Sequence, residues 1–373
     1  MIPIIVFPGA HSKYRLREEG LLACSHGGVY SVDPKLVRLD CSSSVNPLGA
    51  PEKAVRTIER SARELAPTYP DPECRELKKS IARYLGVDTG KIAVGNGAAE
   101  IIYWFARLFA KRRVVIPAPT FCEYELASQK AGAVVTFVPL SVDFALEADA
   151  VIASAKGADA LFLCNPNNPT GMLATSAVKK VIEGVDNTTK ILLDECFIEL
   201  ADRQETLLKL VYRHDNLVLL RSLTKSFGMA GLRAGYSVSS PAIAEQLSSL
   251  KVPWNVNGLA QAAGVAALAD RKHVVKARAL VKKERAFLYE RLGRVESLLV
   301  PVRSDANYLL LRLKSGDSTH FRDRLLKKTG VLVRDCSTFT GMGSQHIRIA
   351  VRTRKENMML VKALEEMENG KAR

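Results

Sequence analysis

Between residues 113 and 238 the chain alternates short apolar runs with amphipathic stretches, and this rhythm constrains the fold more than any other feature. The apolar runs are Arg113 to Ile116, Val134 to Val138, Ala160 to Leu163, Lys190 to Leu193, Leu217 to Leu220 and Ala234 to Val238. They are short and rich in Val, Ile and Leu, as strands covered on both faces are. Helical patterns such as Cys122 to Ala131 and Ser176 to Gly184 lie between them. The repetition predicts an α/β fold with a mostly parallel sheet and helices on both faces. Ligands of such sheets sit beyond the carboxyl ends of the strands. No internal repeat or low-complexity linker interrupts the pattern.

After Asn257 the pattern changes. Leu259 to Leu292 reads as a long helix broken once near Asp270. Ala306 to Leu313, Val331 to Arg334 and His346 to Val351 read as strands, and Lys355 to Met367 as a closing helix. This is the signature of a smaller α+β domain. The expected division is a large domain over residues 47–265 and a small one from 1–46 with 266–373. The first 46 residues hold too little apolar sequence to form a core alone, so they are expected to pack with the later segment.

Net charge is +15, with the basic residues dispersed. The denser groups, Lys276 to Arg285 and Arg322 to Lys328, sit at helical spacing and read as solvated faces. No nucleic-acid-binding signature accompanies them, so the charge points to anionic small molecules. No apolar run reaches membrane-spanning length. The run Ile2 to Phe7 is too short, and lacks a basic lead, for a secretory signal. Seven cysteines stand singly without a Cys-x-x-Cys pair, which fits a reducing cytoplasm and lone thiols; no metal set is expected.

Chemistry concentrates at the strand ends. Arg221-Ser-Leu-Thr-Lys-Ser-Phe-Gly-Met-Ala-Gly-Leu-Arg233 follows an apolar run and places Lys225 between Ser222 and Arg233. A lysine held partly desolvated has a lowered pKa and is a better Schiff-base nucleophile. Ser222 and Arg233 suit one dianionic group. Val94-Gly-Asn-Gly-Ala-Ala-Glu100 leads into an apolar helix, Ile101 to Phe109, so the amides of Gly97, Ala98 and Ala99 are expected to face a phosphate. Asp194 ends the run Ile191-Leu-Leu, where a buried carboxylate needs a cationic partner. Leu163-Cys-Asn-Pro-Asn-Asn-Pro-Thr-Gly171 is a turn-rich strand end in which the Asn168 amide is a donor. Phe121, in Pro119-Thr-Phe121, is placed to stack on a planar ring.

In this order the segments resemble the fold type I, class I/II aminotransferases over roughly residues 25 to 367. The resemblance implies pyridoxal 5'-phosphate (PLP) as cofactor and a seven-stranded, mostly parallel sheet in the large domain. It implies that Lys225 carries the cofactor and moves protons, that Asp194 pairs with its ring nitrogen, and that Asn168 contacts its 3' oxygen. Gly97, Ala98, Ala99, Ser222, Thr224 and Arg233 then surround the phosphate. Tyr69, in Thr68-Tyr-Pro-Asp-Pro, resembles a tyrosine that reaches the neighbouring subunit's phosphate, which implies a homodimer with shared sites. Arg348, in Ile347-Arg-Ile-Ala-Val, resembles the arginine that binds the substrate carboxylate. One departure is Phe197, three residues after Asp194, where the family commonly has a tyrosine that donates to the 3' oxygen.

Two branches of the family come closest, histidinol-phosphate aminotransferases and L-threonine-O-3-phosphate decarboxylases. Arg334, in Val333-Arg-Asp-Cys, resembles the substrate-phosphate arginine of both. Ser25-His-Gly-Gly28, Ser42-Ser-Ser-Val-Asn46 and Pro253-Trp-Asn-Val-Asn resemble the decarboxylases, with His26, Gly27 and Asn46 expected at the substrate. The expected reaction is decarboxylation of threonine phosphate in cobalamin biosynthesis, in the cytoplasm, with the aminotransferase as alternative. A regulator's effector lobe is the reading from another class. Only 25 residues precede His26, too few for a DNA-binding domain, and Lys225, Asp194 and Arg233 are all present.

Overall fold

The computed structural model describes residues 26–369. The expectations for Ile2 to Phe7, for Ser25 and for the rest of 1–25 lie outside the described residues. At the centre is a seven-stranded sheet in the order Ile92–Gly95, Gly235–Val238, Leu217–Ser222, Lys190–Asp194, Ala160–Cys164, Arg113–Ala118, Val134–Pro139. Gly235–Val238 runs antiparallel to both neighbours, and the other pairings outside it are parallel. Its middle strands are buried along almost their whole length, which is why they read as unbroken apolar runs.

Apolar clusters cover both faces. Ile101, Phe105, Phe162, Leu192 and Leu220 lie on one, and Val115, Leu161, Leu163, Leu193 and Leu219 on the other. The alternation of Leu192 with Leu193 and of Leu219 with Leu220 is the two-residue period of a strand. One buried ion pair crosses this sheet's edge of strand ends. Glu195, with no exposed surface, accepts from Arg221 Nη2 at 2.7 Å and Nε at 3.1 Å. Its second oxygen accepts from Leu207 N at 2.8 Å, so neither charge is left unpaired.

A second, antiparallel sheet has the order Arg334–Asp335, His346–Ala350, Tyr308–Leu313, Leu299–Pro301. Helices Arg271–Leu292, Ser318–Thr329 and Arg354–Asn369 enclose its own apolar cluster of Leu309, Leu311, Ile347, Ile349, Leu325 and Leu364. The described part of the N-terminal segment makes contacts with this part of the chain. Leu39–Asp40 pairs in parallel with Val331–Leu332, and Cys41 O accepts from Ala350 N at 2.7 Å. The long helical pattern breaks where expected, into Gly258–Leu268 and Arg271–Leu292, with Asp270 capping the second helix through His273 N. Among the described residues no helix is long and apolar enough to cross a membrane. Among the described cysteines, Cys41, Cys74, Cys164, Cys196 and Cys336 are free thiols.

Candidate active site

The carboxyl ends of the central strands and one edge of the second sheet enclose a cavity of about 280 Å³. His26, Gly27, Ala98, Ala99, Phe121, Asn168, Asp194, Ser222, Thr224, Lys225, Arg233, Arg334 and Arg348 all line it. These residues span more than 300 positions of sequence, and the sheet topology alone brings them together. Three expected residues are elsewhere. Gly97 is not on the wall, and its N–H donates to Gly95 O at 2.8 Å, so it is not a phosphate donor. The donors that remain there are Ala98 and Ala99, which open the helix Ala98–Phe109 and have no acceptor within it.

Asn46 is also off the wall. Its Nδ2 donates to Ser226 O at 2.7 Å, and its backbone N–H donates to Lys225 O at 2.9 Å. It therefore props the lysine turn. Tyr69 is 77% exposed and stacks on Trp254 at 4.6 Å between ring centroids, outside the cavity.

Lys225 belongs to the short helical turn Leu223–Ser226 that follows its strand. Ser222 opens that turn by accepting from Thr224 N at 3.0 Å. Burial, and then the Arg348 and Arg233 charges, pull the Lys225 amine down from 10.5 to about 8. The desolvated lysine expected from the sequence is thus present, with the Phe197 ring 5.5 Å from its Nζ.

Asp194 is 6% exposed, and burial raises its pKa above the usual carboxylate value. Tyr124 Oη donates to its Oδ2 at 2.7 Å and Cys196 N to its Oδ1 at 2.8 Å. Two neutral donors orient the carboxylate, but they do not supply a full counter-charge. A cationic ring nitrogen would supply it. Tyr124 was not foreseen from the sequence. It stands at the second position of the helix Glu123–Lys130, and its ring packs edge-on against Phe121 at 5.5 Å between centroids.

On the opposite wall, Arg233 holds a left-handed backbone, φ 61°, with its guanidinium against Gly97. A Cβ at Gly97 would lie 2.5 Å from Arg233 Nη2. Arg233, Ser222, Thr224 and the open amides of Ala98 and Ala99 form an anion cradle that a side chain at residue 97 would spoil. A buried carboxylate at one end, a cationic cradle at the other and a depressed lysine between them fit PLP in charge and chemistry.

The second sheet supplies Arg334 and Arg348, which are directly opposed across adjacent antiparallel strands. Like charges in that register repel. Both are at least nine-tenths covered, at 5% and 8% exposed. Burial and the neighbouring Arg348 charge bring Arg334 down to about 10, and burial lowers Arg348 as well. Arg348 donates to Asn168 Oδ1, and to Ser42 O at 3.0 Å, while its buried Nε has no hydrogen-bond partner among the described residues. Ser42 to Ser44, Ile102, Tyr124, Cys164, Cys196, Phe197 and Phe339 complete the wall. Among the described residues no cluster of His, Cys, Asp or Glu has the makings of a metal site.

This chain is 38% identical, over 86% of its length and 88% of the relative's, to a Caldanaerobacter subterraneus protein named "Putative threonine-phosphate decarboxylase". It is 36% identical to a histidinol-phosphate aminotransferase of Symbiobacterium thermophilum, over 88% and 90% of the two chains. Among solved structures, the histidinol-phosphate aminotransferase of Clostridium acetobutylicum superposes with a TM-score of 0.83 at 31% identity, covering 89% of this chain and 99% of that one. L-threonine-O-3-phosphate decarboxylase of Porphyromonas gingivalis gives 0.79 at 26% identity, over 88% and 99%. The model of the family "Aminotransferase class I and II" matches residues 34–364, and the chain belongs to that family of PLP-dependent enzymes.

Proposed function

We propose that this enzyme decarboxylates L-threonine O-3-phosphate to (R)-1-amino-2-propanol phosphate, as a cytoplasmic homodimer serving cobalamin biosynthesis. The observation that carries the reading is the opposed, buried pair Arg334 and Arg348 facing Lys225 across one cavity. Two desolvated guanidiniums in register are stabilised by a ligand with two anionic ends. Threonine phosphate has them, a phosphate for Arg334 and a carboxylate for Arg348. Histidinol phosphate has a phosphate and no carboxylate, but the 2-oxoglutarate of the aminotransferase reaction has two, so the pair fits a doubly anionic ligand of either branch. The resemblance of Ser25-His-Gly-Gly28 to the decarboxylases is what favours threonine phosphate, with His26 and Gly27 at the cavity wall.

PLP, when bound, supplies an electron sink for the pair released at Cα. The protein does the rest. Asp194 would hold the ring nitrogen's charge, Asn168 would offer its Nδ2 to the 3' oxygen, and Arg233, Ser222, Thr224, Ala98 and Ala99 would hold the phosphate, with Phe121 beside the ring. Arg348 and Arg334 grip the substrate at both ends, which fixes its rotation about the Cα–N bond. That rotation selects which bond to Cα breaks. When the Cα–carboxylate bond breaks, CO2 leaves, and Lys225 Nζ returns a proton to Cα. With a pKa of about 8, the amine carries that proton at neutral pH. Phe197 lines the site with no hydroxyl to offer. Tyr69 and Trp254 form an exposed aromatic pair suited to reach a second subunit's site.

The runner-up is histidinol-phosphate transamination with 2-oxoglutarate, favoured by the relatives at 36% and 31% identity. The deciding assay supplies threonine phosphate with no keto acid and measures CO2 and aminopropanol phosphate. No CO2, together with glutamate formed from histidinol phosphate and 2-oxoglutarate, would establish the aminotransferase instead.

A further inference from the structure

Helix Glu123–Lys130 begins two residues after Phe121 and carries two acidic residues in its first turn, Glu123 and Glu125. Both are charged side chains at 8% and 6% exposure. Residues two apart on a helix point to opposite sides, about 200° around the axis. These two reach different segments of the cavity wall, and each segment is remote in sequence.

Glu123 Oε1 meets His26 Nε2 at 2.7 Å, and its Oε2 accepts from Tyr103 Oη at 2.8 Å. Glu125 Oε2 accepts from Thr340 Oγ1 at 2.7 Å, and its Oε1 accepts from Gln129 Nε2 at 3.1 Å. Thr340 stands in the loop between Asp335 and His346. That loop grips Arg334: Thr338 Oγ1 accepts from Arg334 Nη2 at 3.2 Å, and the Phe339 ring lies 5.2 Å from its guanidinium carbon. The next residue, Gly341, takes φ 83° where the loop turns past Ala118 and Pro119.

We propose that Glu123 and Glu125 are paired positioning residues, each holding one cover of the substrate side of the cavity. Glu123 holds the segment that brings His26 and Gly27 to the mouth. Glu125, through Thr340, holds the loop that orients Arg334. One rigid helix at the carboxyl end of a sheet strand thereby references both covers to the cofactor end of the site. A buried carboxylate is costly unless hydrogen bonds meet it, so each grip also satisfies its carboxylate. The role of the covers rests on the reading that Arg334 and His26 face substrate, whereas the two grips themselves do not.

The test uses holoenzyme and two readouts, hydrogen exchange without substrate and steady-state kinetics with threonine phosphate. Thr340 is half-buried and off the cavity wall, so Thr340→Val removes one hydroxyl with little change of shape. It should speed exchange across residues 336–343 by about tenfold, the factor that ~1.4 kcal/mol represents. Exchange across 26–31 should stay as in wild type, and Thr340→Ser should restore the loop. Glu123→Ala should do the reverse, loosening 26–31 and sparing 336–343. In kinetics, Thr340→Val should raise KM by about tenfold with kcat within about twofold, as for lost ground-state and transition-state binding alike. Unchanged exchange at 336–343 in Thr340→Val overturns the proposal. So does loosening of both segments by either variant, which would mark the carboxylates as general packing. If exchange shifts as expected while wild-type enzyme releases no CO2, the grips stand and the substrate assignment falls.

Discussion

Gly97→Ala tests the anion cradle with one methyl group. Gly97 has φ 82° and ψ 163°, a region essentially reserved for glycine, where another residue costs ~1–3 kcal/mol. The added Cβ would also lie 2.5 Å from Arg233 Nη2 and 3.0 Å from its Cζ, closer than non-bonded atoms approach. Arg233 cannot retreat freely, because its own backbone sits at φ 61°, a conformation already costing roughly 1–2 kcal/mol for a non-glycine residue. The guanidinium must swing out of the cradle. Losing one charge-assisted hydrogen bond to phosphate forfeits ~1.5–3 kcal/mol. Cofactor Kd should therefore rise by about 10- to 150-fold. Apo protein should lose ~1–3 kcal/mol from backbone strain alone. Titrating apo enzyme with PLP by absorbance gives the first number, and urea unfolding of apo enzyme gives the second. Gly90→Ala is the control, since a Cβ there meets nothing within 4 Å and should change neither. Wild-type affinity in a folded Gly97→Ala variant would refute the placement of the phosphate against Arg233.

The other predictions concern the lysine, the dimer and the substrate arginine. The folded Lys225 amine titrates near 8 against 10.5 unperturbed, so burying its ammonium is a penalty below pH 8 that fades as pH rises to 10.5. Apo enzyme should gain stability across that window in a pH series of urea unfolding, and Lys225→Ala should abolish both the gain and the borohydride-fixed cofactor adduct. Tyr69→Phe should weaken cofactor retention by ~0.5–1.5 kcal/mol, the worth of one hydrogen bond, and a fully active monomer in sedimentation would contradict the shared site. Arg334→Ala should raise KM for threonine phosphate by about tenfold or more and erase its advantage over threonine, measured as a ratio of kcat/KM.

The sequence disclosed the parts of the fold that bury apolar residues in a regular pattern. Six strands of the central sheet were readable because runs such as Leu217–Ser222 are covered along their whole length. The seventh, Ile92–Gly95, is only four residues long and runs directly into the glycine turn, so it merged with that turn. The helix Glu52–Leu65 was not foreseen. Only Ala54 of its fourteen residues is buried, and a small residue leaves little apolar stripe to read. Lys225 and Asp194, which line the cavity, could be picked out from local context at a strand end, whereas Arg348, in the middle of His346–Ala350, was singled out only through the family resemblance. Asn46 and Gly97 were misplaced because their neighbours decide their role. Asn46 is taken up by Ser226 O, and the Gly97 amide by Gly95 O. The register that sets Arg334 against Arg348 depends on how two strands pair, and no local pattern encodes it.

That register has a consequence for how molecules arrive. Arg233, Arg334, Arg348 and Lys225 share the cavity wall with Asp194 as its sole carboxylate among the described lining residues, in a chain whose net charge is +15. Field lines from such a cluster focus through the mouth and draw multivalent anions inward before any contact forms. Encounter then becomes sensitive to ionic strength, because the screening length falls from about 10 Å at 0.1 M salt to about 3 Å at 1 M. Inorganic phosphate or sulfate in a buffer should compete for the guanidiniums assigned to the proposed substrate. A KM measured in phosphate buffer therefore reports a displacement, and one measured in dilute neutral buffer reports a capture.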